Sequence, residues 1–292
     1  MEISTSLNLY TALYDSKSDF VTGDDYKEMI FRAGKCGFKC FDFDLGRYFL
    51  SNRFLSFENW RDYVKEIKEY ADSLGVKFTQ SHAFCFNPPE PDYMDEIMKK
   101  TIEAASIAGA PWIVMHPWVT EKTDKAEILE ENIKRFRPYI EYAKSLNIGI
   151  AIENMPKRVF WFGEEVKHAA FYTADELIKL VDILNDEYGN VGICWDTGHA
   201  FLSMENQYDD IVKLGSRLKV IHAADNDSQG DDHVAPFMGY INWKEIIKAL
   251  REINYSGTFS FETHNHTRNL PDELIDDAVS LLYKIGEYIV NM

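Results

Sequence analysis

The chain has 292 residues, of which 46% are hydrophobic and 14% aromatic. This length and composition allow a large buried core and exclude an intrinsically disordered chain. The formal net charge of −17, from 31 Lys and Arg against 48 Asp and Glu, disfavours binding to a phosphate backbone or an anionic membrane. The sequence shows no local basic patch that would offset this repulsion.

The first residues and the cysteines indicate the cellular location of the protein. Residues 1–14 alternate polar and apolar side chains without a basic start, which predicts a first strand and not a signal peptide. No stretch approaches the roughly 18 apolar residues of a membrane span. The four cysteines form no CxxC pair, as is typical of reduced thiols. We therefore expect a cytoplasmic protein without membrane association.

Short apolar runs alternate with longer amphipathic segments along the whole chain. The predicted strands are residues 2–8, 38–43, 76–82, 112–116, 148–153, 191–196, 218–222 and 258–262. Segment 58–75 shows the helical period between them, with an apolar face that includes Trp60 and Ile67 and a stop at Gly75. Thr173, followed three residues later by Glu176, predicts a helix that starts with a capping box.

This alternation of strands and helices defines the expected fold. Strand–helix repetition predicts a parallel sheet with crossover helices, and eight repeats predict closure into a barrel. We therefore expect an α/β protein with one (β/α)8 TIM-barrel domain over residues 1–292. The longest connection outside the helices, residues 155–172, is rich in aromatic side chains, and a loop of that length in a compact domain is usually functional.

Six of the predicted strands end in an imidazole or a carboxylate. In chain order these residues are His82, His116, Glu153, Asp196, His222 and Glu262. In a barrel the carboxyl ends of all strands meet at one rim, so these side chains are expected to converge. Carboxylates that lie close together repel one another, and a divalent cation removes that conflict. Oxygen-rich ligation with one imidazole suits Mn²⁺ or Mg²⁺, whereas more imidazoles favour Zn²⁺.

Several short motifs resemble those of a known superfamily. They are IEN at 152–154, DTGHA at 196–200, IHAAD at 221–225, DDH at 231–233, GYINW at 239–243 and FET at 261–263. Together they resemble the xylose isomerase-like barrel superfamily and, within it, the sugar phosphate isomerase/epimerase group. The resemblance covers nearly the whole chain and implies the same fold that the strand pattern predicts.

The resemblance also implies roles for individual residues. Ketose 3-epimerases of this group bind one metal through a set that falls here on Glu153, Asp196, His222 and Glu262, and the two glutamates serve as the acid/base pair. His199 matches a position that touches substrate. We further assign substrate binding to four more residues, namely His82, His116, His233 and Trp118. The expected cofactor is one divalent metal, Mn²⁺ or Mg²⁺, with Zn²⁺ or Co²⁺ as alternatives.

These assignments predict a metal-dependent isomerase or epimerase of a sugar or sugar phosphate. The metal would polarise a carbonyl, and a glutamate would remove the proton from the neighbouring carbon. Elimination follows the same first step, so a dehydratase or lyase acting on a keto sugar or keto acid is an alternative. A carbohydrate-binding barrel without catalysis is a third.

A zinc-dependent AP endonuclease of the endonuclease IV type is the remaining alternative. That branch of the superfamily uses nine ligands for three zinc ions. Their matches here are His82, His116, Glu153, Asp196, His199, His222, Asp231, His233 and Glu262.

Three features nevertheless favour a sugar. Phe237 stands where a glycine is usual, the loop after His116 begins with Pro117 and Trp118, and the acidic chain has no basic cluster for a phosphate backbone. The expected partner is therefore a small sugar-derived molecule and not a nucleic acid, and aromatic residues in the βα loops would suit a homodimer.

Overall fold

A computed structural model of the chain describes residues 1–13, 23–46, 53–84, 91–119, 122–161, 164–167 and 170–292. The strands in these ranges are, in chain order, β1 (Ile3–Ser6), β2 (Cys40–Asp44), β3 (Lys77–His82), β4 (Trp112–Met115), β5 (Gly149–Glu153), β6 (Arg158–Trp161), β7 (Glu164–Lys167), β8 (Val191–Asp196), β9 (Leu218–Ala223) and β10 (Phe259–Phe261). Eight of them form a closed parallel barrel in the order β1-β2-β3-β4-β5-β8-β9-β10, and β10 pairs with β1. The predicted (β/α)8 barrel is therefore confirmed, with a barrel strand at each predicted position.

Helices connect the barrel strands and cover their outer surface. They are α1 (Gly23–Lys35), α2 (Trp60–Ser73), α3 (Pro91–Ala108), α4 (Lys125–Ser145), α5 (Ala174–Tyr188), α6 (Thr197–Leu202), α7 (Gln207–Leu214), α8 (Trp243–Glu252) and α9 (Asp272–Val290). Helix α2 buries Trp60, Val64, Ile67 and Ala71, as its period predicts. None of the helices in the described ranges combines the length and the apolar character needed to cross a membrane.

The long connection after β5 contains two strands and is held at its end by the start of α5. The two strands, β6 and β7, form a two-stranded antiparallel hairpin. At the start of α5, Thr173 Oγ1 accepts a hydrogen bond from the Glu176 N–H, which confirms half of the predicted capping box. The Glu176 carboxylate does not return to Thr173; it accepts hydrogen bonds from the N–H groups of Phe171 and Tyr172. Glu176 therefore holds residues 171 and 172, at the end of the connection, against the first turn of α5.

Inward-facing residues form two layers at the carboxyl end of the barrel. Side chains two residues apart on a strand share a face. The upper layer consists of Ser6, Asp44, His82, His116, Glu153, Asp196, His222 and Glu262. Two residues earlier on each strand, the lower layer is polar from β10 to β3 (Ser260, Ser4, Asp42 and Gln80) and apolar from β4 to β9 (Val114, Ala151, Cys194 and Val220). All residues of the upper layer except Ser6 are therefore imidazoles or carboxylates.

Candidate metal centre

Asp196 ends β8 and begins the short helix α6. Its Oδ1 accepts a hydrogen bond of 2.6 Å from the His199 N–H, so this oxygen caps the helix. Its Oδ2 is buried and has no hydrogen-bond partner among the described residues. The strand therefore ends in a carboxylate with two roles, since one oxygen is structural and the other is free to bind a ligand.

Asn154 locks this strand end to its neighbour β5. The Asn154 side chain accepts a hydrogen bond of 2.6 Å from the Asp196 N–H and donates one of 3.0 Å to the Asp196 carbonyl. The Asn154 carbonyl lies 2.8 Å from His199 Nδ1. The IEN and DTGHA motifs thus form one hydrogen-bonded unit that positions Glu153, Asp196 and His199.

Glu153 lies at the centre of the cluster and is 1% exposed. Its Oε2 is 3.1 Å from His116 Nε2 and 3.3 Å from His82 Nε2. Its Oε1 is 3.2 Å from His222 Nδ1 and 3.6 Å from His199 Nδ1. One carboxylate therefore contacts imidazoles from β3, β9 and the segments that follow β4 and β8.

His222 connects the two glutamates. Its Nδ1 is 3.2 Å from Glu153 Oε1 and also 3.2 Å from Glu262 Oε2. Single ligand atoms of Glu153, Asp196, His222 and Glu262 lie within 4.8 Å of one another. Three carboxylates and one imidazole at this spacing form a donor set suited to a divalent cation.

The protonation of the cluster follows from its burial and its charges. Burial opposes ionisation of Glu153, but its contacts with His222 and His116 outweigh burial and hold its pKa well below the ordinary value. Burial raises the pKa of Asp196 to about 7. Burial alone would lower the pKa of His82, yet the hydrogen bond with Glu153 raises it to about 9. Burial lowers the pKa of His116. Protonated imidazoles therefore supply the positive charge that balances the carboxylates of the cluster.

A second group of possible ligands lies beside the first. Asp231 Oδ2 is 3.3 Å from His199 Nε2 and 3.0 Å from His233 Nε2. These three residues also place ligand atoms within 4.8 Å of one another, and Asp231 Oδ1 is buried without a partner among the described residues. His233 Nδ1 lies 2.9 Å from the Glu262 carbonyl, which ties this group to the first.

A buried carboxylate holds the loop that carries Asp231 and His233. Asp225 is fully buried, and its Oδ1 accepts hydrogen bonds from the N–H groups of Asn226 and Ile241. Its Oδ2 accepts from the Phe237 N–H and from Trp243 Nε1, both at 2.9 Å. The Asp225 side chain therefore holds both ends of segment 225–243 in place.

Removal of this anchor should destabilise the protein. We expect Asp225→Ala to lower the free energy of unfolding by about 3 kcal/mol, because buried donors lose their acceptor. Chemical denaturation of the variant measures this change. Asp227→Ala is the matched control, since Asp227 is exposed and its carboxylate accepts from the N–H of Gln229. An equal loss in both variants would contradict the assignment.

Phe237, at the position where the resemblance implies a glycine, has a backbone conformation that suits glycine. Its φ is +72°, a region in which a bulky side chain is strained and glycine is not. The ring is 51% exposed and contacts Tyr288 of α9, with 6.0 Å between the ring centroids. The departure from the family pattern thus places an aromatic ring on the surface at a cost in backbone strain.

The structure brings together eight of the nine residues predicted for the site. The ninth, Trp118, packs against α4: its ring stacks on Tyr139 with 5.7 Å between centroids and meets Phe136 edge-on at 4.7 Å. Its backbone also exchanges hydrogen bonds with the Asn132 side chain. These contacts are those of a packing residue, and its role in substrate binding stays a prediction.

Two buried aspartates on β2 were not among the predicted site residues. Asp44 Oδ1 accepts a hydrogen bond of 2.8 Å from the Gly46 N–H, and its Oδ2 accepts from Asn8. Asp42 Oδ2 accepts one of 2.7 Å from Gln80 Nε2. The signal was present in the run CFDFD, since alternate aspartates between buried residues place both carboxylates on one face of the strand.

The fold and this cluster define a class, namely an α/β barrel with a buried centre suited to divalent cations at the carboxyl ends of its strands. A family model of the xylose isomerase-like TIM barrel matches residues 30–285. The chain belongs to this family, as its motifs predict.

Curated relatives carry several different descriptions. The protein y4fM of Sinorhizobium fredii is 29% identical over 175 residues, which are 58% of this chain and 52% of that protein. An inosose isomerase of Halalkalibacterium halodurans is 27% identical, with coverages of 68% and 71%. A probable endonuclease 4 of Methanoculleus marisnigri is 29% identical, with coverages of 50% and 53%. The matches with three of the curated relatives cover 52% to 61% of the relatives' own lengths.

Solved structures show the same fold along the whole chain. A structure of the IOLI protein with a bound zinc atom has a TM-score of 0.75 and 19% identity, and it covers 100% of this chain and 98% of its own. A D-psicose 3-epimerase from Clostridium cellulolyticum H10, solved with D-tagatose, has a TM-score of 0.73 and 18% identity, with 99% of each chain covered. At these identities the likeness establishes the fold alone.

Proposed function

We propose that the chain is a divalent-metal-dependent isomerase or epimerase of a sugar or sugar phosphate. The observation that carries this proposal is the convergence of Glu153, Asp196, His222 and Glu262 within 4.8 Å. In this group Asp196 Oδ2 is buried without a hydrogen-bond partner among the described residues, and Glu262 Oε2 has an ionic contact with His222 Nδ1. Buried carboxylate oxygens are costly unless they are paired or bind a cation, so the donor set fits a divalent metal.

The two glutamates supply the proton transfer. A cation held by the four donors would polarise the carbonyl of the substrate and acidify the neighbouring C–H. Glu153 and Glu262 both have pKa values held below the ordinary value despite burial, chiefly by the charge of His222. Each is therefore ionised at neutral pH and able to accept a proton. In epimerisation one glutamate removes the proton and the other returns one to the opposite face.

The remaining histidines would surround the substrate. His116 is the most open of them, with 25% of its side chain exposed, whereas His82, His199 and His233 are nearly buried. Their imidazoles offer hydrogen bonds to hydroxyl groups of a sugar. The inosose isomerase and the psicose epimerase among the similar proteins support a carbohydrate substrate for this chain as well.

The test combines metal analysis with isotope exchange. Metal-free protein is reconstituted with Mn²⁺, Mg²⁺, Co²⁺ or Zn²⁺, and the bound metal is quantified. Each form is incubated in D₂O with a panel of ketoses and ketose phosphates, and NMR measures deuterium at the carbon next to the carbonyl. Exchange with at least one substrate is expected. Absence of exchange from a fully loaded protein would refute the proposal.

Metal affinity should depend on pH. Burial opposes protonation of both imidazoles, but Cys194, Glu262 and Glu153 raise the pKa of His222 well above its ordinary value. Asp231 likewise raises the pKa of His233, to about 10. A cation must displace such protons, so its affinity should rise with pH between 6 and 9, about tenfold per pH unit for each proton released. Co²⁺ titrations at several pH values measure this slope. A dissociation constant that is the same at pH 6 and pH 8 would contradict it.

A specific observation also favours a second candidate function. The group His199, Asp231 and His233 and the group His82, Glu153 and His222 could hold further ions, which agrees with the relatives described as probable endonuclease 4. A multi-zinc hydrolase of abasic DNA would contain about three zinc ions per chain and cleave that substrate. Metal counting and a cleavage assay on abasic duplex DNA distinguish it from the sugar enzyme.

A further inference from the structure

We propose that Asp42 is a positioning residue, which orients the imidazole of His222 for cation binding. The inference rests on the metal centre of the proposed function. Asp42 lies on β2, and His222 lies on β9, separated from it in the barrel by β1 and β10. Both side chains are buried, with exposures of 3% and 1%. Their contact therefore spans the interior of the barrel beneath the candidate ligands.

The two nitrogens of the His222 ring face different partners. Nδ1 lies 3.2 Å from both Glu153 Oε1 and Glu262 Oε2, so this atom points into the ligand group. Nε2 lies 3.5 Å from Asp42 Oδ2. That distance is at the long limit of a hydrogen bond. Nδ1 of the ring thus faces the candidate ligands, and Nε2 faces the Asp42 carboxylate.

Coordination chemistry requires an acceptor at Nε2. An imidazole that binds a cation through Nδ1 carries its remaining hydrogen on Nε2. A buried N–H without an acceptor costs about 1–3 kcal/mol. In the described part of the chain, His222 Nε2 and Asp42 Oδ1 are both buried atoms without a hydrogen-bond partner. A small closure of the 3.5 Å gap would satisfy the ring with a charge-assisted hydrogen bond.

Asp42 is itself held in place for this role. Gln80 lies opposite Asp42 in the pairing of β2 with β3, and its Nε2 donates a hydrogen bond of 2.7 Å to Asp42 Oδ2. The thiol of Cys194 also lies against the His222 ring, but sulfur is a weak acceptor. The carboxylate is therefore the stronger partner for the buried N–H.

The experiment compares two isosteric Asp→Asn variants, one beside His222 and one outside the barrel. Asp42 Oδ2 faces both Gln80 Nε2 and His222 Nε2, so Asp42→Asn removes the negative charge and leaves at most a neutral amide oxygen to accept from the ring. We expect its Co²⁺ affinity to fall about 10- to 100-fold, the usual effect of losing a carboxylate behind a histidine ligand, with a changed visible absorption spectrum. Asp276→Asn is the control, because this carboxylate lies on α9, outside the barrel, and accepts hydrogen bonds from Tyr10 and Arg32. Its affinity should change by no more than about threefold.

Each outcome decides a separate point. If the wild-type protein fails to bind Co²⁺, the proposed metal centre is wrong. If the wild type binds and Asp42→Asn binds equally well, or if both variants lose affinity equally, the role of Asp42 is wrong.

A measurement on the wild-type protein serves if Asp42→Asn does not fold. Nitrogen-15 NMR of the zinc-loaded protein should show His222 protonated at Nε2, with a downfield proton typical of a hydrogen bond to a carboxylate. Protonation at Nδ1 would overturn the inference. Cys194→Ala should leave that signal in place, and its loss there would identify the thiol as the partner instead.

Discussion

Glu153→Gln is expected to abolish stable binding of the divalent cation and, with it, isotope exchange. The carboxylate contacts His82, His116 and His222 at 3.1 to 3.3 Å, so the amide removes the negative charge that all three imidazoles share. Loss of this ligand should lower the affinity for the cation by roughly 10³-fold, which corresponds to about 4 kcal/mol of binding free energy. Metal analysis after dialysis should find far less than one ion per chain.

The control for this prediction is the same substitution elsewhere. Glu287 lies on the exposed face of α9, and Glu287→Gln should retain the metal content and the exchange rate of the wild type. Retention of one tightly bound ion by Glu153→Gln would show that this carboxylate is not a ligand, and the centre would then have to be sought in the group that contains Asp231.

Glu262→Gln should have the second-largest effect, but on a different quantity. The Glu262 carboxylate contacts the imidazoles of His222 and His233, at 3.2 and 3.7 Å. An amide oxygen can still face a cation but cannot accept a proton. We expect the metal to remain bound with reduced affinity, while deuterium incorporation falls about 10²- to 10⁴-fold, the usual contribution of a general acid or base.

The comparison of the two variants separates ligation from proton transfer. Exchange rates are measured at metal concentrations that saturate each protein, so that a weaker affinity does not appear as slower chemistry. If Glu262→Gln turns over a ketose at the wild-type rate with metal bound, the assignment of Glu262 to the acid/base pair is wrong.

Periodicity predicted the barrel because each strand is buried and short. Runs such as 148–153 and 191–196 are continuous apolar segments, as parallel strands covered by helices must be. The hairpin of β6 and β7 was not predicted. It lies in the connection after β5, where no hydrophobic repeat marks the strands, and only the length and aromatic content of that connection signalled a special role.

The convergence of the strand-end residues was also predictable, because barrel geometry alone brings the carboxyl ends of the strands together. The separate role of each of these residues could not be predicted from the sequence. Asp196 caps a helix with one oxygen and leaves the other free, a distinction that depends on the rotamer. The anchoring role of Asp225 could not be predicted either, since its partners lie up to 18 residues further along the chain.

The barrel is completed by the pairing of β1 with β10, in which Ser4 lies opposite Ser260. All four donors of the candidate centre come from the second half of the sequence, whereas Asp42, His82 and His116 come from the first. During refolding, the two halves must meet before the donors acquire their supporting partners, and such sequence-distant pairing is slow. Capture of a coloured ion such as Co²⁺ would therefore report the final closure of the barrel rather than the earlier growth of its helices.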